Sequence, residues 1–230
     1  MIRAVIFDLD GTLADTEPLH FAAFAAVFQA EGIEVGREEY FSRLIGYDDR
    51  DCVTVVMREH DLTPDELKLS QLIARKAAIY QEMIERRDVL YPGAADFVRR
   101  CAERFPLAIA TGTLRAEAEM ILRRAGLREL FVDVVAAEDV AQGKPAPDIF
   151  LTALGHLGFI LRSRPPIAPQ ECLVIEDTVA GLTAARSAGM TVLALCQSAP
   201  AELLADAELV RNSIAEIDLN DVLRRLTKIC

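Results

Sequence analysis

No stretch of this 230-residue sequence comes near the run of about 20 apolar residues that a membrane-crossing helix needs. A membrane partner is therefore not expected. A basic face is lacking as well. The chain sets 25 Lys and Arg against 36 Asp and Glu, a formal net charge of -11, whereas a nucleic-acid partner rewards clustered positive charge. Local basic pairs such as Arg99-Arg100 and Arg123-Arg124 fall in helical patterns and read as solvated faces. Cysteine is sparse and unpatterned. Cys52, Cys101, Cys172, Cys196 and Cys230 show no CxxC spacing and are odd in number. They read as reduced core thiols, with Cys230 exposed at the terminus and no catalytic thiol among them. The opening Met1-Ile2-Arg3-Ala4 has no signal-peptide layout, so a cytoplasmic protein is expected. Low-complexity segments, internal repeats and heptads are all missing, and a globular monomer is the expectation.

What the sequence does contain is an alternation of short apolar runs with helical patterns. The runs at 2–7, 107–111, 132–136, 172–175 and 191–195 are mostly apolar on both faces, as buried parallel strands are. Between them, Phe150, Ala153, Leu154 and Leu157 form a helical stripe that Gly158 closes, and the alanine-rich stretch 178–188 ends at Gly189. This predicts an α/β fold, a doubly wound parallel sheet. Residues 15–87 break the alternation. They carry only helical patterns, including an apolar face of Leu19, Ala22, Ala23, Ala26, Val27 and Ala30, and a helix start at Thr63-Pro64-Asp65-Glu66 with proline in first position. They predict an inserted α-helical cap, with hinges at 13–16 and 87–91, leaving 1–14 and 88–230 as the α/β core. Pro92-Gly93 marks re-entry, and the proline-rich 162–169 reads as a stiff surface connection.

Ligands of such sheets bind at the carboxyl ends of the strands, and the polar residues gather there. Asp8-Leu9-Asp10-Gly11-Thr12 follows the first run. Alternation sends both aspartates to one side, and Gly11 permits a sharp turn. The second run ends in Thr111-Gly112-Thr113. Gly143-Lys144-Pro145-Ala146-Pro147-Asp148 follows the third, and Glu176-Asp177-Thr178 the fourth. Asp8 and Asp177, with Glu176 as ligand or supporting group, offer hard oxygens suited to Mg²⁺. Thr111 and the amides of Gly112 and Thr113 can hold phosphoryl oxygens at a helix start. Lys144 sets a compact positive charge against a developing anion.

These four motifs, in this order and covering nearly the whole chain, resemble those of the haloacid dehalogenase-like (HAD) hydrolase superfamily, in the branch with a helical cap after the first motif. That branch includes phosphoglycolate phosphatase-like and β-phosphoglucomutase-like enzymes. The resemblance implies a Rossmann-like core and a Mg²⁺-dependent phosphatase acting on a small sugar or organic-acid phosphate. It implies that Asp8 is phosphorylated and that Asp10 protonates the leaving oxygen and then activates water. It implies that Asp8, the carbonyl of Asp10 and Asp177 hold the metal with Glu176 assisting, and that Thr111 and Lys144 hold the transferring group. Substrate choice is expected from the cap, with Thr16, His20, Arg50 and Lys76 as candidates and a cationic pair suited to a second anionic group. Read as ordinary residues, Arg50 neutralises nearby acids, Lys76 is solvated and His20 packs. A sugar phosphomutase is the nearest alternative. Asp15-Thr16, His20 and Lys76 are similar to the mutase pattern, but Thr12 and Thr113-Leu114-Arg115 depart from it, which favours a phosphatase. Glu176-Asp177 argues against a metal-free dehalogenase, and the retained acids with Lys144 argue against a non-catalytic binding protein.

Overall fold

The computed structural model describes every residue except Ile45, Gly46, Asp48, Ser163, Arg164 and Cys230, and no side chain is described for Lys228 and Ile229. Parts of the loop 46–50, of the connection 162–169 and the expected exposure of Cys230 therefore lie outside the described residues. The chain divides into two compact units, Met1–Asp15 with Asp88–Cys230, and Thr16–Arg87. Asp15 thus belongs with the sheet, one residue beyond the expected boundary.

The first unit is built on six parallel strands: β1 (Ala4–Phe7), β2 (Leu107–Ala110), β3 (Phe131–Val135), β4 (Cys172–Glu176), β5 (Thr191–Leu195) and β6 (Leu209–Arg211). Their order is β3-β2-β1-β4-β5-β6. The sixth strand is not in the sequence-based reading. It is three residues long, half-buried throughout and carries Arg211, so it has no apolar run to betray it. Ile6 and Phe7 face opposite sides and both are fully buried. Ile6 joins Ala108, Val174, Phe150, Leu157 and Leu182 in one cluster, beneath α7 (Asp148–Ile160) and α8 (Val179–Ser187). Phe7 meets Phe97 and Phe131 edge-on at centroid distances of 6.1 and 6.0 Å. Phe97 belongs to α5 (Ala94–Ala102); α6 (Arg115–Arg124) and α9 (Leu219–Ile229) complete the helices of this unit. Helices on both faces explain why the strands are apolar on both. The α7 helix runs past Gly158 to Ile160. That glycine has open space around it, and the first proline beyond it is Pro165, too far on to end the helix there.

Register places the functional motifs. Phe7 is level with Ile109 of β2 and Ile175 of β4, so the residues after these positions leave the sheet side by side. The Asp8 amide donates to Ile175 O at 3.0 Å and the Thr111 amide to Val135 O at 3.0 Å, which extends the ladder to its last rung.

The second unit contains α1 (Glu17–Ala30), a short α2 (Arg37–Glu39) running into a π-helical turn (Tyr40–Leu44), α3 (Asp49–Glu59) and α4 (Glu66–Arg86), with no strand among the described residues. Its core is its own: Phe24, Val27, Phe28, Tyr40, Cys52, Val53, Val56, Leu69 and Leu72. On α1 the aromatic rings of Phe24 and Phe28 are buried, while Ala22 and Ala26 sit half-buried at the margin and Ala30 is exposed. Larger side chains gain more from burial, which rotates the helix toward them. The α4 cap is Asp65, whose Oδ1 accepts the Lys68 amide at 2.8 Å, so Thr63-Pro64 precede the helix and do not open it. Where the chain leaves and re-enters the first unit, the Asp15 amide donates to Val89 O (2.8 Å) and the Tyr91 amide to Leu13 O (2.9 Å).

Candidate active site

Beyond β1 the chain folds into a tight turn. The Leu13 and Ala14 amides both donate to Leu9 O, at 2.8 and 2.9 Å, and the Gly11 amide to Ala14 O at 2.8 Å. Gly11 has φ +78°, and a Cβ there would fall 2.2 Å from Asp177 Oδ2, so both the backbone and its neighbour require glycine. The turn separates the two aspartates. Asp8 is buried and its Oδ1 accepts from Lys144 Nζ at 2.5 Å. Asp10 faces the end of β2, where its Oδ2 accepts from the hydroxyls of Thr111 (3.1 Å) and Thr113. The Thr113 amide donates to Thr111 Oγ1 at 3.1 Å, so in this arrangement Thr111 and Thr113 hold each other and Asp10, while Gly112 between them is exposed.

Lys144 is the positive centre. Besides Asp8 its ammonium donates to Glu176 Oε1 at 2.6 Å, and it lies 5.1 Å from the Phe150 ring centroid. Both oxygens of Glu176 are occupied. Oε2 accepts the Asp177 and Thr178 amides, each at 2.7 Å, and the Thr178 hydroxyl at 3.0 Å. A Cβ on Gly181 would fall 1.7 Å from Glu176 Oε1, so the first turn of α8 leaves room for this carboxylate only as glycine. Glu176 thus holds Lys144 and the β4–α8 turn. The α8 cap is Thr178, which accepts the Gly181 amide at 3.0 Å.

Asp177 is fully buried. Its Oδ1 accepts the Thr12 hydroxyl at 2.7 Å; its Oδ2 has no hydrogen bond of good geometry, although Ser198 is near enough to lower its pKa. Burial, then the charge of Glu176, pushes Asp177 up to about 7. Burial also raises Asp8 well above the carboxylate range, outweighing the pull of Lys144, with Glu176, Asp177 and Asp10 adding repulsion. Lys144 is held above its ordinary value: the charges of Asp8 and Glu176 and their hydrogen bonds outweigh burial, the largest single influence on it.

Thr12 and Gln197 are the side chains that the motif reading does not assign. Gln197 Nε2 donates to Gly11 O at 2.8 Å. Its only signal in the sequence is its place just past the carboxyl end of β5, where an amide follows Cys196.

The remaining candidates belong to the helical unit. Thr16 is buried just before α1, and its carbonyl accepts the Leu19 and His20 amides. Lys76 is not solvated. It is 1% exposed, its Nζ lies 2.7 Å from Asp49 Oδ1 and 2.9 Å from His20 Nδ1, and it is 4.9 Å from the ring centroids of Phe24 and Tyr80. The His20 ring stacks on Tyr80 with centroids 4.1 Å apart. Arg50 is elsewhere, in a two-pronged contact with Glu66 at 3.1 and 2.9 Å. The structure therefore brings His20 and Lys76 together and leaves Arg50 apart. Each expected cation already has a carboxylate partner.

Residues 2–189 match the haloacid dehalogenase-like hydrolase family. The chain belongs to that family. Among its relatives, Protein CbbY of Rhodobacter capsulatus is 37% identical over 84% of this chain and 84% of its own length. A phosphorylated carbohydrates phosphatase of Thermotoga maritima is 32% identical over 82% of each. The crystal structure of CbbY from Rhodobacter sphaeroides in complex with phosphate superposes with a TM-score of 0.81 at 31% identity, covering 94% of this chain and 96% of that one.

The Mg²⁺ implied for a haloacid dehalogenase-like hydrolase can be tested against the side chains present. Among the described residues no three His, Cys, Asp or Glu converge as a ready-made ligand cluster. Mg²⁺ does not require one, since it keeps several waters and takes one or two carboxylates. Asp8 and Asp177 are both buried acids, and Asp177 Oδ2 is a buried carboxylate oxygen with Ser198 nearby but no well-formed hydrogen bond. Three acids, Asp8, Glu176 and Asp177, are buried here, and the one ammonium among them is paired with Asp8 and Glu176. This donor set fits a hard dication.

Proposed function

We propose that this hydrolase is a Mg²⁺-dependent phosphatase of a small phosphorylated metabolite, a sugar or organic-acid phosphate, working through an aspartyl-phosphate on Asp8. The observation that carries the reading is the division of labour between two acids two residues apart. Asp8 is buried against a lysine ammonium, while Asp10 is turned away from that cation and held by two threonine hydroxyls.

A carboxylate oxygen of Asp8 attacks phosphorus as the bond to the ester oxygen breaks, and Asp10 gives that oxygen its proton. Water then attacks the phosphorus of the acyl phosphate, giving its proton to Asp10, and inorganic phosphate leaves with Asp8 restored. Lys144 neutralises charge on the transferring group without moving, because Glu176 fixes it from the other side. Thr111 and Thr113 aim Asp10. When bound, Mg²⁺ would be held by Asp8, the backbone carbonyl of Asp10 and Asp177, and it supplies charge neutralisation that keeps Asp8 ionised and nucleophilic. In this reading residues 15–87 act as the cap domain and set which ester is taken, through residues such as Thr16, His20 and Lys76.

A panel of phosphate esters assayed for free phosphate, with and without Mg²⁺, tests the reading. Metal-dependent release from sugar or organic-acid phosphates is the expected result. Interconversion of hexose phosphates with phosphate conserved would replace it with a mutase. No turnover of any ester would refute it.

A further inference from the structure

The segment after β5 reaches the turn that carries Asp8 and Asp10. Gln197 Nε2 donates to Gly11 O at 2.8 Å and, more weakly, to Thr12 O at 3.4 Å. Both acceptors are carbonyls, so the amide has one workable orientation, with nitrogen toward the turn. Its Oε1 is then buried with no hydrogen-bond partner. A side chain kept for packing alone gains nothing from that arrangement, because methionine or leucine fills a similar volume and leaves no acceptor unmet.

What the amide grips is informative. The two carbonyls flank Thr12, whose own hydroxyl donates to Asp177 Oδ1 at 2.7 Å inside the protein. The other Asp177 oxygen, which has Ser198 nearby but no well-formed hydrogen bond, lies against Gly11, where a Cβ would come within 2.2 Å of it and 2.6 Å of Ser198 Oγ. A continuous chain of contacts therefore runs from the end of β5, through the Gly11–Thr12 peptide groups, to the carboxylate at the end of β4.

We propose that Gln197 is a positioning residue for the divalent cation: by holding the Gly11–Thr12 backbone it fixes Thr12, and through Thr12 the direction in which Asp177 presents its open oxygen. This rests on the Mg²⁺-dependent reading above.

The test is a double-mutant cycle with Gln197→Met and Thr12→Val, read in three ways. Mn²⁺ binding is followed by electron paramagnetic resonance, Mg²⁺ activation by the concentration giving half-maximal turnover, and thermal stability is taken in chelator. Gln197→Met is expected to weaken Mn²⁺ binding and raise the Mg²⁺ requirement by about 5- to 20-fold, with most of the lost turnover recovered at high Mg²⁺. Its melting temperature in chelator should equal or exceed that of the unmodified protein, since the unmet acceptor is gone. In a Thr12→Val background the same change should alter metal affinity by less than about twofold, because both substitutions cut one chain of contacts. Equal metal affinity in Gln197→Met and the unmodified protein would overturn the role of Gln197 alone. So would a Gln197→Met variant that fails to fold, which would make the amide structural. An unmodified protein that binds no divalent cation would overturn the phosphatase reading together with this one.

Discussion

At the scale of single residues, the site sets three buried acids, Asp8, Glu176 and Asp177, against one ammonium, which contacts the first two. Asp8 illustrates the consequence. Its carboxylate is costly to bury even with Lys144 at 2.5 Å. A neutral side chain of the same shape removes that cost, and Lys144 keeps Glu176 as partner. Asp8→Asn should therefore lose turnover by at least about a thousandfold, since no nucleophile remains, while its melting temperature stays level or rises. Phosphate-release kinetics beside a thermal melt check both halves; normal turnover in this variant would rule Asp8 out as nucleophile. The same imbalance sets a pH dependence. A carboxyl whose folded pKa is raised keeps a proton that the unfolded chain has released. Stability is then full below the ordinary carboxylate range and is lost as pH climbs through the folded value. For Asp177 that value is about 7, and Asp8 is shifted in the same direction. In chelator, the melting temperature should fall by several degrees between about pH 5 and pH 8, and saturating Mg²⁺ should flatten the slope. Glu171 behaves oppositely: the Ala168 amide, and then Arg3, hold its carboxyl below the ordinary value, so those contacts are lost only in more acidic solution. An unchanged slope with Mg²⁺ would show that the cation does not meet these acids.

Among the elements, five strands are legible because each is an apolar run that stops where a polar motif starts. Register does the rest: parallel neighbours level at Phe7, Ile109 and Ile175 deliver Asp8, Thr111 and Asp177 to one edge. Side-chain direction after the strand is not legible. Two aspartates two residues apart predict a shared side, yet Gly11 and the turn behind it send Asp8 to Lys144 and Asp10 to the threonines. The ordinary reading of Lys76 as a solvated lysine fails for a related reason. Its burial follows from Asp49, His20 and two rings converging on it from α1, α3 and α4, and helical spacing reports none of these. Helix starts are also a matter of one or two residues. The string Thr63-Pro64-Asp65-Glu66 offers two caps, and extended backbone at Asp65 (φ -72°, ψ 171°) selects the second. Asp65→Ala should then cost about 1 kcal/mol and Thr63→Ala less than about 0.5 kcal/mol. Urea midpoints of the two variants decide it; equal losses would place the cap at Thr63.

On the scale of the whole molecule, the six motif side chains Asp8, Asp10, Thr111, Lys144, Glu176 and Asp177 all belong to the sheet unit, and the two units have separate cores. Nothing in the cluster of Ile6, Phe150, Val174 and Leu182 is borrowed from residues 16–87. The crossing points are themselves a short antiparallel pair. Ala14 bridges Leu90, with the Asp15–Val89 and Tyr91–Leu13 hydrogen bonds on either side. Chain ends held that close can be joined by a turn of a few residues, and a short closure adds little entropy cost. Replacing Thr16–Arg87 by a four-residue Gly/Ser link should therefore leave a protein that melts cooperatively and keeps its sheet signal in circular dichroism. Because the motif residues stay in place, it should still hydrolyse a small activated ester such as p-nitrophenyl phosphate with Mg²⁺, slowly. It should lose discrimination among sugar phosphates, since those candidates leave with the helices. A broad, non-cooperative melt would mean that the sheet unit depends on the helical one for its stability. Retained discrimination would instead move substrate choice onto the sheet unit, to the residues around Gly112 and Thr113.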